Sequence, residues 1–125
     1  MPKILVVDDE PMALKLVQTI LEKRGFEVLV STNGHDALKI LKAQRGSIDL
    51  LITDIVMPEM DGTRLAMKAV EYEPDLPVLF MSGFVTEDEV DQAASINQYA
   101  FIRKPFRPAT LVQAVRKMLT TEETA

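Results

Sequence analysis

The sequence predicts an α/β fold: a doubly wound, five-stranded parallel sheet with five helices on its two faces. Three observations predict it. Five short apolar runs, at residues 4–7, 28–30, 50–53, 78–81 and 100–103, are separated by stretches with helical spacing of apolar residues. The runs are near-continuous in Val, Ile and Leu, the pattern of strands covered on both sides. Regular strand-then-helix alternation implies a parallel sheet, and right-handed crossovers distribute the helices over both faces.

Each element has its own signal. The run Ile4-Leu5-Val6-Val7 ends in Asp8-Asp9-Glu10, with Pro11 behind. Proline suits the first helical position, where its missing N–H is no loss, and the acids suit the positive helix end. Leu14, Val17, Ile20 and Leu21 keep helical spacing, and Gly25 stops the helix after Lys23-Arg24. Asn33 caps a second helix whose apolar face is Ala37, Leu38 and Leu41 and which stops near Gly46. Leu50-Leu51-Ile52-Thr53 is a third strand ending in Asp54. Pro58 and Gly62 punctuate the loop before a helix carrying Leu65, Ala66, Ala69 and Val70.

Strand four, Val78-Leu79-Phe80-Met81, ends in Ser82-Gly83. Thr86 and Glu89 have capping-box spacing at the start of the fourth helix. Its stripe of Val90, Ala93 and Ala94 is thin, which predicts the most loosely held element. Strand five precedes Lys104-Pro105, and Pro108 opens a last helix with Leu111, Val112, Val115, Met118 and Leu119. Residues 1–119 are expected to form one domain, and residues 120–125 a flexible polar tail.

Composition narrows the function. Hydrophobic residues make up 47% and charged residues 26% of 125, which is globular and enough for one core. A net charge of −5 argues against direct nucleic-acid binding, which needs a basic surface. The absence of cysteine removes disulfides and thiolate metal sites. The start at Met1 leaves no room for a signal peptide, and no apolar run approaches the roughly 20 residues of a membrane span. A cytoplasmic protein with no membrane partner is therefore expected.

In a parallel sheet all carboxyl ends share one edge, so Asp8, Asp9, Asp54, Ser82 and Lys104 are expected together there. Three carboxylates against one ammonium leave negative charge uncompensated, and a hard divalent cation, Mg²⁺, would restore balance. Without a His or Cys cluster, zinc and copper are not indicated. A carboxylate, a divalent ion, a lysine and a hydroxyl on one rim suit phosphoryl transfer, and a carboxylate can itself form an aspartyl phosphate. Taken singly, each feature has a plainer reading: Asp8 and Asp9 as helix-start acids, Lys104 as a solvated lysine, Ser82-Gly83 as a turn, Phe101 as core.

Val6-Val7-Asp8-Asp9-Glu10, the stretch Asp54-Ile55-Val56-Met57-Pro58-Glu59-Met60-Asp61-Gly62, the Ser82-Gly83 pair and Lys104-Pro105-Phe106 together resemble the receiver domain of bacterial two-component response regulators. The resemblance covers roughly residues 3–119, and the four motifs in this order are highly specific. It implies the flavodoxin-like strand order 2-1-3-4-5, shared by the chemotaxis receiver named as an example of that order. It further implies that Asp54 accepts a phosphoryl group from a histidine kinase or histidine phosphotransfer protein. Asp9, Asp54 and the backbone carbonyl of Val56 would ligate Mg²⁺, and Asp8 would complete the acidic pocket. Lys104 would pair with the phosphoryl group, Ser82 would move toward it, and Phe101 would be the switch aromatic. Lys104-Pro105 would be cis.

Two departures bear on lifetime. The resemblance implies that polar residues two positions beyond Asp54 and Ser82 can orient the hydrolytic water; Val56 and Phe84 there cannot hydrogen-bond it, so slow self-dephosphorylation relative to family members with Asn or Glu is expected. The turn Asn97-Gln98-Tyr99 lacks a glycine, and Asn97 could supply a left-handed conformation there. The leading reading is a phosphoacceptor switch rather than an enzyme, acting as a monomer or weak phosphorylation-dependent dimer. It would signal to a downstream protein through the fourth helix, fifth strand and fifth helix, where acidic Glu87, Asp88, Glu89 and Asp91 face basic Arg103, Arg107, Arg116 and Lys117. The chain ending with receiver sequence suggests action on a separate partner or in a relay, and the Met1 start favours a free-standing protein over a receiver excised from a hybrid kinase. A phosphorylation-independent adaptor and a Mg²⁺-dependent phosphatase or nuclease remain alternatives.

Overall fold

The computed structural model describes residues 1–124, with side chains through Thr120. Strands and helices alternate as β1 (Lys3–Val7), α1 (Pro11–Lys23), β2 (Glu27–Ser31), α2 (Gly34–Ala43), β3 (Leu50–Asp54), α3 (Gly62–Tyr72), β4 (Val78–Ser82), α4 (Glu87–Ala93), β5 (Tyr99–Arg103) and α5 (Pro108–Thr124). The five strands are parallel, in the order β2-β1-β3-β4-β5.

Successive strand residues point to opposite faces, and two cores follow from that alternation. Ile4, Val6, Leu50, Ile52, Leu79 and Met81 pack under α1 and α5, against Leu14, Val17, Leu21, Leu111, Val115 and Met118. Leu5, Val7, Leu51, Val78 and Phe80 pack under α2, α3 and α4, against Ala37, Leu41, Leu65, Ala66, Ala69 and Ala93. At roughly 1.5–3 kcal/mol per fully buried large aliphatic or aromatic side chain, these two layers dominate the stability. Because α1 and α3 lie on opposite faces, the connections leaving β1 and β3 diverge, opening a crevice at the carboxyl ends of these neighbouring strands.

Local chemistry sets the helix ends. Asn33 accepts from the Asp36 N–H at 2.8 Å, Thr86 and Glu89 close the capping box, and Gly25 takes φ +89° beyond α1. Three expectations need correction. The last helix does not stop at Leu119 but continues through Thr124, since Thr120, Thr121, Glu122 and Glu123 include no glycine or proline to break it. The expected tail is thus helical to Thr124, and Ala125 lies outside the described residues. In α4 only Ala93 is buried; Val90 and Ala94 face outward, so the apolar stripe is thinner still. Asn97 is not left-handed: among the described residues the one non-glycine with positive φ is Glu59. Asn97 instead donates from Nδ2 to the Pro74 carbonyl at 3.1 Å, tying the turn before β5 to the segment before β4.

Candidate functional site

Register brings the site together. Val7 of β1 pairs with Thr53 of β3, so Asp8 and Asp54 follow side by side. Asp54 pairs with Met81 of β4, and Ser82 pairs with Arg103 of β5, which delivers Lys104 to the same edge. The Lys104 side chain then reaches back across the edge. Its Nζ lies 2.9 Å from Asp8 Oδ2 and 3.5 Å from Asp54 Oδ2. The Lys104-Pro105 bond is cis.

Asp8 is fully buried and doubly held, accepting from Lys104 through Oδ2 and from the Glu10 N–H through Oδ1 at 2.9 Å. Asp9 is exposed at the mouth, and Asp54 is partly buried between them. One carboxylate oxygen from each of Asp8, Asp9 and Asp54 lies within 4.8 Å of the others. An all-oxygen, triply acidic donor set fits a hard divalent cation of the Mg²⁺ type better than a softer metal.

Burial raises the Asp54 pKa above 3.8; Lys104 opposes this and the Asp8 charge adds to it. For Lys104, burial alone would lower the pKa, but the Asp8 hydrogen bond and the charges of Asp8 and Asp54 outweigh it and hold it above 10.5. Lys104 is therefore cationic at neutral pH.

The loop after Asp54 is tightly built. Ile55 N–H donates to Asp54 Oδ1 at 2.9 Å, orienting the carboxylate. Gly62 N–H donates to the Ile55 carbonyl at 2.7 Å, and any Cβ on Gly62 would collide with the Asp54 carbonyl oxygen. Between them the Met60 N–H bonds the Pro58 carbonyl at 2.7 Å, a γ-turn centred on Glu59 at φ +67°. The exposed carboxylate of Glu59 stands 4.0 Å from His35 Nε2, so the surface histidine has a neighbour the sequence did not suggest.

Ser82 and Phe101 are placed differently from the charged residues. The Ser82 hydroxyl is turned into its own loop, donating to the Phe84 carbonyl at 2.5 Å and accepting the Phe84 N–H at 3.1 Å. Phe101 is half-buried, stacked on Phe80 at 5.2 Å and edge-on to Tyr99 at 5.9 Å. The side chain of Val56 is 72% exposed.

Sequence reasoning assigned no role to Asp61, Thr63 or Gln92. Asp61 caps α3, accepting the Arg64 N–H at 2.9 Å, and Thr63 bridges toward Gln92 on α4. The cap was discoverable, because an aspartate immediately before a helical segment is an N-cap signal; the bridge to α4 depends on packing and leaves no sequence signature.

The chain as a whole is similar to known proteins. The response regulator receiver protein CpdR of Brucella abortus is 37% identical over 95% of this chain and 98% of its own length. The response regulator SaeR of Staphylococcus epidermidis is 33% identical over 95% of this chain but only 51% of its own length, so the chain spans about half of such relatives. The structure of the response regulator TrrA from Thermotoga maritima, solved in complex with Mg²⁺-BeF, superposes with a TM-score of 0.83 at 30% identity, covering 95% of this chain and all of TrrA. Residues 4–116 match the response regulator receiver domain, and with that match including Asp8, Asp9, Asp54, Ser82 and Lys104, the chain belongs to the receiver family of two-component signalling.

Proposed function

We propose that the protein is a phosphoacceptor switch in which Asp54 takes a phosphoryl group from a histidine kinase or histidine phosphotransfer protein. The observation that carries this reading is the position of Asp54: partly exposed, 3.5 Å from the Lys104 ammonium, and beside the oxygens of Asp8 and Asp9. An Asp54 carboxylate oxygen attacks phosphorus, the phosphorus–nitrogen bond to the donor imidazole breaks, and the imidazole keeps the bonding pair. Lys104 places positive charge where the phosphoryl oxygens arrive. Asp9, Asp54 and the Val56 carbonyl would hold Mg²⁺, with Asp8 completing the acidic pocket. Bound there, the ion would neutralise charge developing on the transferred group.

The surroundings support a protein phosphodonor. Met12, Leu16, Val56 and Phe84 are exposed apolar side chains, and an open groove of about 420 Å³ runs beside the crevice between Ala13, Leu16 and Val17 of α1 and Pro105-Phe106, floored by Asp8 and Lys104. Exposed apolar side chains and an apolar groove next to a charged site favour association with another macromolecule.

After transfer, the new dianion competes with the Phe84 carbonyl for the Ser82 hydroxyl, and Phe101, in register with Phe80 beside Ser82, follows. The altered face is α4, β5 and α5, acidic at Glu87, Asp88 and Asp91 and basic at Arg103, Arg107 and Arg116. A downstream protein, a relay partner or a second, weakly bound copy would read it. Intact-mass measurement after incubation with Mg²⁺ and acetyl phosphate tests the reading: a single phosphate adduct is expected on wild type and none on Asp54→Asn. No adduct on wild type overturns it.

A further inference from the structure

The phosphoacceptor loop is also tied to α4 by a hydrogen-bond path that uses neither Ser82 nor Phe101. Thr63, at the start of α3, is 1% exposed, so its hydroxyl has no recourse to water. Its Oγ1 lies 2.8 Å from Asp61 Oδ1 and 2.6 Å from Gln92 Oε1 on α4, two acceptors for a single hydroxyl proton. A hydroxyl has one proton, and an ionised aspartate only accepts. Thr63 therefore donates to Asp61, and the contact with Gln92 is satisfied when the amide turns its nitrogen toward Thr63, an orientation that heavy-atom positions leave open. The path runs from the Gln92 amide to the Thr63 hydroxyl to the Asp61 carboxylate, which also caps α3. Next in the chain is Gly62, packed on the Asp54 carbonyl and bonded to Ile55. Because α4 buries only Ala93 within its seven residues, one hydrogen bond is a large share of what holds it.

We propose that Thr63 and Gln92 are positioning residues. Their relay fixes α4 against the loop that carries Asp54, so that α4 placement and phosphorylation are energetically coupled. The inference rests on the phosphoacceptor reading. The relay is formed in the arrangement where Ser82 faces Phe84 rather than Asp54, so weakening it lowers the barrier to leaving that arrangement.

Hydrogen exchange and phosphorylation kinetics with acetyl phosphate and Mg²⁺ test it on the full chain. Gln92 is exposed, so Gln92→Ala folds without a cavity. The expected results are α4 amide exchange faster by roughly three- to tenfold and initial phosphorylation of Asp54 faster by about two- to fivefold. Thr63→Val gives the same changes, and the double variant goes no further than either single one. Gln92→Glu, which supplies acceptors but no donor, behaves like the alanine variant. Faster exchange with unchanged phosphorylation overturns the coupling, as do additive effects in the double variant or a Gln92→Glu protein that behaves as wild type. A wild type that takes no phosphate overturns the phosphoacceptor reading instead; a normally phosphorylated wild type with an indistinguishable Gln92→Ala overturns the relay alone.

Discussion

Lys104 is paired first with Asp8, at 2.9 Å, and only second with Asp54, at 3.5 Å. Asp8 is fully buried, and its other oxygen is occupied by the Glu10 N–H, so the lysine is its one cationic partner among the described contacts. Lys104→Ala is therefore expected to strand a buried carboxylate and destabilise the fold by about 2 kcal/mol in metal-free urea denaturation. Asp8→Asn in the same background should recover part of that loss. A Lys104→Ala protein as stable as wild type would show that the pair contributes nothing.

Asp54 carries the opposite sign. Burial raises its pKa, so the folded state binds this proton more tightly than the unfolded chain does. The group's contribution is most favourable below pH 3.8; it declines as pH rises from there through the folded-state pKa and leaves a constant penalty above it. Asp54→Asn should thus be more stable than wild type at pH 7, with the difference closing in acid. Mg²⁺ should invert the comparison, stabilising wild type by about 2.7 kcal/mol at a hundredfold excess over its Kd and the Asp54→Asn and Asp9→Asn variants far less. Thermal melts across pH, with and without Mg²⁺ and then with chelator, would check both halves.

On the proposed phosphoacceptor reading, Val56 bears on how long the phosphate lasts. Its exposed, apolar side chain cannot orient a water toward an aspartyl phosphate. Val56→Asn is expected to shorten the phosphate half-life several-fold, on the order of one added hydrogen bond in the transition state. Equal decay of the two phosphoproteins, followed by intact mass after removal of the donor, would sink the idea.

Glu59 holds its γ-turn at φ +67°, a region that a Cβ disfavours by roughly 1–2 kcal/mol. Glycine relieves that strain but loses more entropy on folding, so Glu59→Gly should stabilise by a net of about 0.5 kcal/mol. Chemical denaturation reads this directly; a loss of stability would mean that the Glu59–His35 contact outweighs the strain.

What depends on near neighbours can be read along the chain. The apolar runs, Pro11, Asn33, Gly25 and the Thr86–Glu89 box act through residues one to four positions away, which is why the alternation of elements and the carboxyl-edge placement of Asp8, Asp9, Asp54, Ser82 and Lys104 were legible before any coordinates. Tertiary structure decided what those groups do to one another. That Lys104 prefers Asp8, 96 residues away, follows from the register of four strands and the length of one side chain. That Ser82 turns into its own loop, that Asn97 bonds Pro74 rather than going left-handed, and that Val90 faces outward follow from which surface each backbone segment presents after packing. The Asp61–Thr63–Gln92 path joins a loop to a helix that meet only because α3 and α4 cover the same sheet face, and no pattern along the chain encodes that meeting.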